Sequence, residues 1–207
     1  MKVSVSVLKE YDRLIKAIKK VNESEADFLH VDVMDGDFVN NKKFPLEVVK
    51  DVKLISTKPL DVHLMVKSHD LIKKYANLMP EYLTFHVEVI NDFRLINYVK
   101  SLGIKVGLAI NPETDIKHLL PYLDYIDLAL FMSVTPGEGG QTFKEEVIDK
   151  IKEFKKIAPP NLIINVDGGV NDKTISLCKY AGCDMVVSGS YVTNSADYNE
   201  KIKSLRW

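Results

Sequence analysis

Cysteine occurs only twice in 207 residues, at Cys178 and Cys183. That spacing fits neither a CxxC redox pair nor a zinc knuckle, so both thiols are expected to be reduced, in a cytoplasmic protein. Net charge is equally scarce. The 28 Lys and Arg against 29 Asp and Glu leave a formal charge of −1, and no global field favours nucleic acid or an anionic membrane. No apolar run approaches the roughly 20 residues that span a bilayer. The opening Met1-Lys-Val-Ser-Val-Ser-Val-Leu8 lacks the apolar core of a secretion signal. Linkers, low-complexity stretches and charge blocks are missing too, so residues 1–207 are expected to form one domain. Hydrophobic residues at 46% and charged residues at 28% make an ordinary globular composition with material for a substantial core.

What does recur, roughly every 25 residues, is a short β-rich run followed by a helical pattern. The runs fall at 3–7, 28–34, 60–65, 83–87, 106–110, 126–132, 162–167 and 185–188. One helical pattern covers 68–79. Its stripe is Leu71, Ile72, Tyr75, Ala76 and Met79, with Ser68 as the cap and Pro80 as the stop. Another covers 143–158 and ends at Pro159-Pro160, and a short one closes the chain near Trp207. Gly103 and Gly182 read as glycines just past helix ends. Eight strand-then-helix units point to a parallel sheet closed into a (β/α)8 TIM barrel, short for a fold that usually runs to about 250 residues.

Three of the runs alternate in an unusual way. In Leu29-His30-Val31-Asp32-Val33-Met34, the period of two sends Leu29, Val31 and Val33 to one face and His30, Asp32 and Met34 to the other. Asp61-Val-His63-Leu-Met65 and Thr84-Phe-His86-Val-Glu88 do the same. Imidazoles and carboxylates facing the interior of a barrel need a reason, because burying them unpaired is costly. Strand C-terminal ends converge on the active site of such barrels. There His30, Asp32, His63 and Asp167 make a set of two imidazoles and two carboxylates suited to one divalent ion such as Zn, Fe, Mn or Co. Asp61 is positioned to hydrogen-bond within the barrel, and His86 and Glu88 to orient a ligand. Asp35 is expected to tie the following loop through Gly36.

Glycine-rich turns follow the last three strands: Gly137-Glu-Gly139-Gly140, Gly168-Gly169 and Gly189-Ser190. Glycine lets backbone N–H groups approach an anion closely. Barrels often hold phosphate after strands 7 and 8. No Lys or Arg lies in these turns, so backbone amides and a helix start are expected to hold the phosphate.

Taken together, His30-Val-Asp-Val-Met-Asp-Gly36, Asp61-Val-His-Leu-Met65, Thr84-Phe-His-Val-Glu88, Met132-Ser-Val-Thr-Pro-Gly137 with Gly139-Gly-Gln141, and Val166-Asp-Gly-Gly-Val170 resemble the ribulose-phosphate 3-epimerase family, in order and over nearly the whole chain. The resemblance implies a barrel of the ribulose-phosphate-binding type. It implies a metal-dependent epimerase of the pentose phosphate pathway that interconverts D-ribulose 5-phosphate and D-xylulose 5-phosphate, and a homo-oligomer. It implies metal ligands at His30, Asp32, His63 and Asp167, with Asp32 and Asp167 also the acid and base. Ser6, His63, Gly137 and Asp167 would touch substrate, and Met34, Met65 and Met132 would line the reacting centre. Gly139, Gly140, Gly168, Gly169, Gly189 and Ser190 would take the phosphate. The sequence departs from the family where Glu138 replaces a phenylalanine, Asn40 a proline and Val5 a proline, and where the segment after Leu8 is about one residue shorter. A carboxylate at 138 would repel phosphate unless it turns to solvent.

Three rival readings share most of these features. An epimerase for a six-carbon ketose phosphate such as allulose 6-phosphate would keep the same ligands and acid–base pair. A non-catalytic sugar-phosphate-binding barrel would have no need of all four ligands. An orotidine-phosphate-type decarboxylase needs an Asp-x-Lys-x-x-Asp cluster, and Asp32-Val-Met-Asp35 has no lysine.

Overall fold

Strands that bury both faces pack side chains against helices outside and against one another inside. In the computed structural model, which describes residues 1–206, eight parallel strands do this in a closed ring. They are β1 (Lys2–Ser6), β2 (Phe28–Asp35), β3 (Leu60–Met65), β4 (Tyr82–His86), β5 (Lys105–Ile110), β6 (Leu128–Met132), β7 (Ile163–Asp167) and β8 (Met185–Ser188). Each pairs with the next, and β8 returns to β1 through Lys2 opposite Met185 and Val5 opposite Ser188. A two-residue strand, Lys42–Lys43, adds antiparallel to the end of β2 outside the ring. It is too short to leave a pattern in the sequence.

The helices are α1 (Leu14–Asn22), α2 (Leu46–Ile55), α3 (His69–Ala76), α4 (Arg94–Ser101), α5 (Val147–Lys155), α6 (Ile175–Ala181), α7 (Ser190–Thr193) and α8 (Tyr198–Arg206). The Ser68 side chain accepts from the Leu71 N–H to start α3, as its capping position predicts. Gly103 and Gly182, at φ of +79° and +86°, follow α4 and α6. Trp207 lies outside the described residues. Between β5 and β6 the expected helix gives way to two single 3₁₀ turns, Ile116–His118 and Leu120–Tyr122. Pro121 lacks an N–H and would clash with the carbonyl four residues back, so a continuous helix cannot run through it.

The main apolar core fills the layer between ring and helices. Leu29, Val31, Val33, Leu64, Phe85, Leu108, Phe131 and Val166 are buried there. A second cluster plugs the inside of the barrel: Phe28, Tyr82, Leu128, Leu130 and Met185, with Phe28 and Tyr82 edge to face at 5.5 Å. Buried polar side chains lie alongside it: Asp61 is in register with Tyr82, and Asn165 with Leu130 and Met185. No helix among the described residues is long and apolar enough to cross a membrane.

Candidate active site

Parallel pairing sets the polar residues side by side. His30 is in register with Asp61 on β3 and with Ser6 on β1, Asp32 with His63, Met34 with Met65, and Met132 with Asp167. The shared inward parity of β2 and β3 therefore becomes a cluster. His30 Nε2 stands 3.2 Å from Asp32 Oδ1 and 3.7 Å from Asp167 Oδ2. His63 Nδ1 stands 3.3 Å and 3.7 Å from the same two oxygens. All four ligand atoms fall within 4.8 Å of one another. Bonds of about 2.1 Å to one ion imply ligand-to-ligand edges of about 3.0–3.4 Å, so the cluster already approximates a coordination shell.

The outer ring nitrogens are engaged as metal-binding imidazoles require. His30 Nδ1 lies 2.8 Å from Asp61 Oδ2, which also accepts from Ser4 Oγ at 2.8 Å. His63 Nε2 lies 2.9 Å from His86 Nε2, and His86 Nδ1 lies 3.1 Å from Glu88 Oε2. Burial pulls the His86 pKa down to about 4 against the pull of Glu88, so this ring is neutral near pH 7. Its single proton faces the Glu88 carboxylate. His86 Nε2 must then accept from His63 Nε2–H, and His63 Nδ1 is the ring nitrogen that faces the cluster. Glu88 is held in turn by the Asn111 N–H and by Thr114 Oγ1. Burial opposes its charged form, but these bonds and His86 outweigh burial and bring its pKa down to about 2. The sequence pattern places it at the end of a strand. The strand stops at His86, and Glu88 reaches back from a 3₁₀ turn, Val87–Val89.

The two ligand carboxyls are pushed in opposite directions. Burial would raise Asp32, but His30 and His63 outweigh it and hold Asp32 below the ordinary carboxylate range. Burial, with the Asp32 charge added, pushes Asp167 up to about 6. Burial would lower His30, yet the charges of Asp32 and Asp61 hold it well above its ordinary value. Ser6 Oγ donates to Asp32 Oδ2 at 2.7 Å, fixing the oxygen that does not face the imidazoles.

Asp32 and Asp167 both line a cavity of about 250 Å³. Its walls include Ser6, Met34, Met65, Met132, Gly137, Gly139, Gly140, Gly168, Gly169, Gly189 and Ser190, all singled out in the sequence. His30 and His63 are completely buried beneath it. The amides of Gly139, Gly140 and Gly169 donate to no protein group among the described residues. At Gly169 the backbone is left-handed, with φ of +64°, and a Cβ would stand 2.6 Å from the Phe143 nitrogen. No other residue fits that turn. Glu138 is exposed, although it remains on the cavity rim.

Two features of the rim go beyond what the sequence suggests. Asp35 accepts from the N–H groups of Asp37 and Phe38 and, across to the next loop, from Lys67. The tie expected there thus orders a whole loop, and it lays the Phe38 ring on His86 at 4.4 Å. The other is Lys9, which the segment after β1 carries into the cavity wall. The only hint was a lone cation just past the end of the first strand.

A sequence profile described as the Ribulose-phosphate 3 epimerase family matches residues 2–193. A protein named ribulose-phosphate 3-epimerase in Helicobacter pylori is 42% identical, over all of this chain and 97% of its own length. One of the same name in Bacillus subtilis is 38% identical, over all of this chain and 98% of its own length. The fold recurs at far lower identity. A crystal structure of orotidine 5'-phosphate decarboxylase from Pyrococcus horikoshii superposes with a TM-score of 0.70 at 13% identity, covering 98% of this chain and 96% of the other. That likeness concerns the barrel alone.

Proposed function

The chain belongs to the ribulose-phosphate 3-epimerase family, and on that premise we propose that this isomerase interconverts D-ribulose 5-phosphate and D-xylulose 5-phosphate. We place it in the cytoplasm, as one catalytic domain over 1–207 that assembles into a homo-oligomer. The observation that carries the reading is that two carboxyls, Asp32 and Asp167, line one cavity while belonging to a four-residue cluster with His30 and His63.

Epimerisation at C3, beside the ketone, removes a proton from one face and returns one to the other. Asp32 serves one face and Asp167 the opposite face, and the two exchange roles in the reverse direction. Between the transfers the sugar is an ene-diolate. His30, Asp32, His63 and Asp167 would hold a divalent ion, whose charge would stabilise the negative charge developing on the substrate oxygens. Without such a charge, the buried carboxylates would repel one another strongly. Ser6 keeps Asp32 oriented. Met34, Met65 and Met132, all buried, form a polarizable wall that excludes water. The amides of Gly139, Gly140, Gly168, Gly169, Gly189 and Ser190 take the phosphate.

The direct test incubates metal-loaded protein with ribulose 5-phosphate and follows xylulose 5-phosphate. No conversion by correctly folded, loaded protein overturns the reading. Allulose 6-phosphate, run in parallel, separates pentulose from hexulose preference.

The His63–His86–Glu88 chain yields its own test. Glu88→Gln should weaken metal binding by about 10- to 100-fold, the usual effect of losing an outer partner of a ligand. Titration against a chromophoric chelator reads it out. Unchanged affinity would mean that Glu88 does not support His63.

A further inference from the structure

A phosphate ester carries a charge of about −1.5 to −2 at pH 7, and the cavity that would receive it is already acidic. Asp32 and Asp167 lie at its base and Glu138 on its rim. The two aspartates belong to the ligand cluster, where a divalent ion would balance them. Glu138 sits in the phosphate turn itself, with nothing of that kind beside it. Among the residues lining the cavity, Lys9 is the only Lys or Arg.

Lys9 lies in the 3₁₀ segment Leu8–Arg13, directly after β1. This is the stretch shortened by about one residue relative to the family pattern. Its stem runs across the β6 turn. A Cβ built on Gly139 would meet Lys9 Cγ at 3.2 Å and Cε at 3.3 Å, and one on Gly140 would meet Cε at 3.4 Å and Nζ at 3.9 Å. The ammonium therefore rests against a peptide whose N–H groups donate to no protein group among the described residues. Among the described residues no carboxylate lies within 4 Å of this Nζ, Glu138 included. Glycine at 139 and 140 leaves room for the lysine stem as well as for an anion.

We propose that Lys9 is the side-chain cation of the phosphate end, pairing with the substrate's phosphate and offsetting the repulsion of Glu138. This rests on the phosphate placement given above. A backbone cradle alone meets the anion with partial charges, whereas Lys9 adds a full one. Because the ammonium is exposed, the contact is screened by salt.

The test compares wild type, Lys9→Met and Lys9→Arg as folded, metal-loaded enzymes. Lys9→Met keeps the stem and deletes the charge. It should raise KM for ribulose 5-phosphate on the order of tenfold, the scale of a hydrogen bond to a charged group, with kcat changed by less than about twofold. Lys9→Arg should restore most of the loss, and high salt should shrink the difference between Lys9→Met and wild type. Glu138→Gln should lower KM, which gives an independent reading should Lys9→Met fold poorly. Binding of inorganic phosphate, measured by calorimetry, must follow the same order. That measurement needs no turnover. A protein that binds phosphate through Lys9 but does not epimerise would sink the proposed activity and leave Lys9 in place. Equal phosphate affinity in wild type and Lys9→Met, or a loss in kcat alone, overturns the proposal.

Discussion

Exhaustive chelation should abolish epimerisation, and returning a single divalent ion per chain should restore it. This is expected because the cluster cannot hold its charges unaided. Asp32, Asp61 and Asp167 converge on His30 and His63, with both imidazoles completely buried. Desolvation costs several kcal/mol per buried ion when compensation is incomplete. The metal-free protein meets that cost with protons. Asp167 retains one below about pH 6, and His30, held well above its ordinary pKa by Asp32 and Asp61 against the effect of burial, retains another. Each proton sits where an ion would bind, so ion and proton compete. The sign follows. Below about pH 6 both groups are protonated, and metal affinity should fall by about tenfold per pH unit for each proton displaced. Above that value the Asp167 contribution levels off, while the His30 proton still has to be released. Calorimetry in buffers of different ionisation enthalpy counts those protons directly. Full activity in protein shown by elemental analysis to be metal-free would refute the requirement. Affinity independent of pH between 5 and 7 would refute the protonation scheme.

The four-residue cluster was legible because strand parity is a local property. His30 and Asp32 are two residues apart, so a β-strand sends them the same way whatever surrounds it. His63 and Asp167 share that depth on other strands, and the ring brings them together as expected. The outer partners were harder to read. Asp61 and His86 are visible as inward-facing residues, but which imidazole each one meets depends on register between neighbouring strands. Register is set by the whole barrel. Lys9 shows the limit more sharply. It reaches Gly139 only because ring closure folds the segment after β1 toward the turn after β6. Nothing local to residues 8–13 records that neighbour. The missing helix between β5 and β6 is a different kind of miss. Pro121 was in plain view, and the regular alternation of the repeat outweighed it.

Asp32→Asn and Asp167→Asn should each abolish epimerisation, by a factor on the order of 10²–10⁴ or more, the usual contribution of a general acid–base group. Asn keeps the shape of Asp and can still offer its oxygen as a ligand, but it cannot accept the proton. The two variants should nevertheless differ. Inversion needs a carrier on each face of C3, and each variant retains one. In heavy water the retained carboxylate should still exchange the C3 hydrogen on its own face without inverting the carbon. One variant should therefore label only ribulose 5-phosphate and the other only xylulose 5-phosphate. The residues around each carboxyl imply a further asymmetry. Asp32 receives the Ser6 hydroxyl and both imidazoles, so Asp32→Asn disturbs the donor network more. Asp167 is the more exposed side chain of the pair, and its contacts to His30 and His63 are longer, at 3.7 Å each. Asp167→Asn should therefore keep metal more readily. Metal content has to be measured in both, because a variant that has lost its ion says nothing about proton transfer. Near wild-type epimerisation by both variants with the ion in place would exclude the two-carboxylate mechanism. Exchange of the same epimer by both would place Asp32 and Asp167 on one face of the sugar rather than on two.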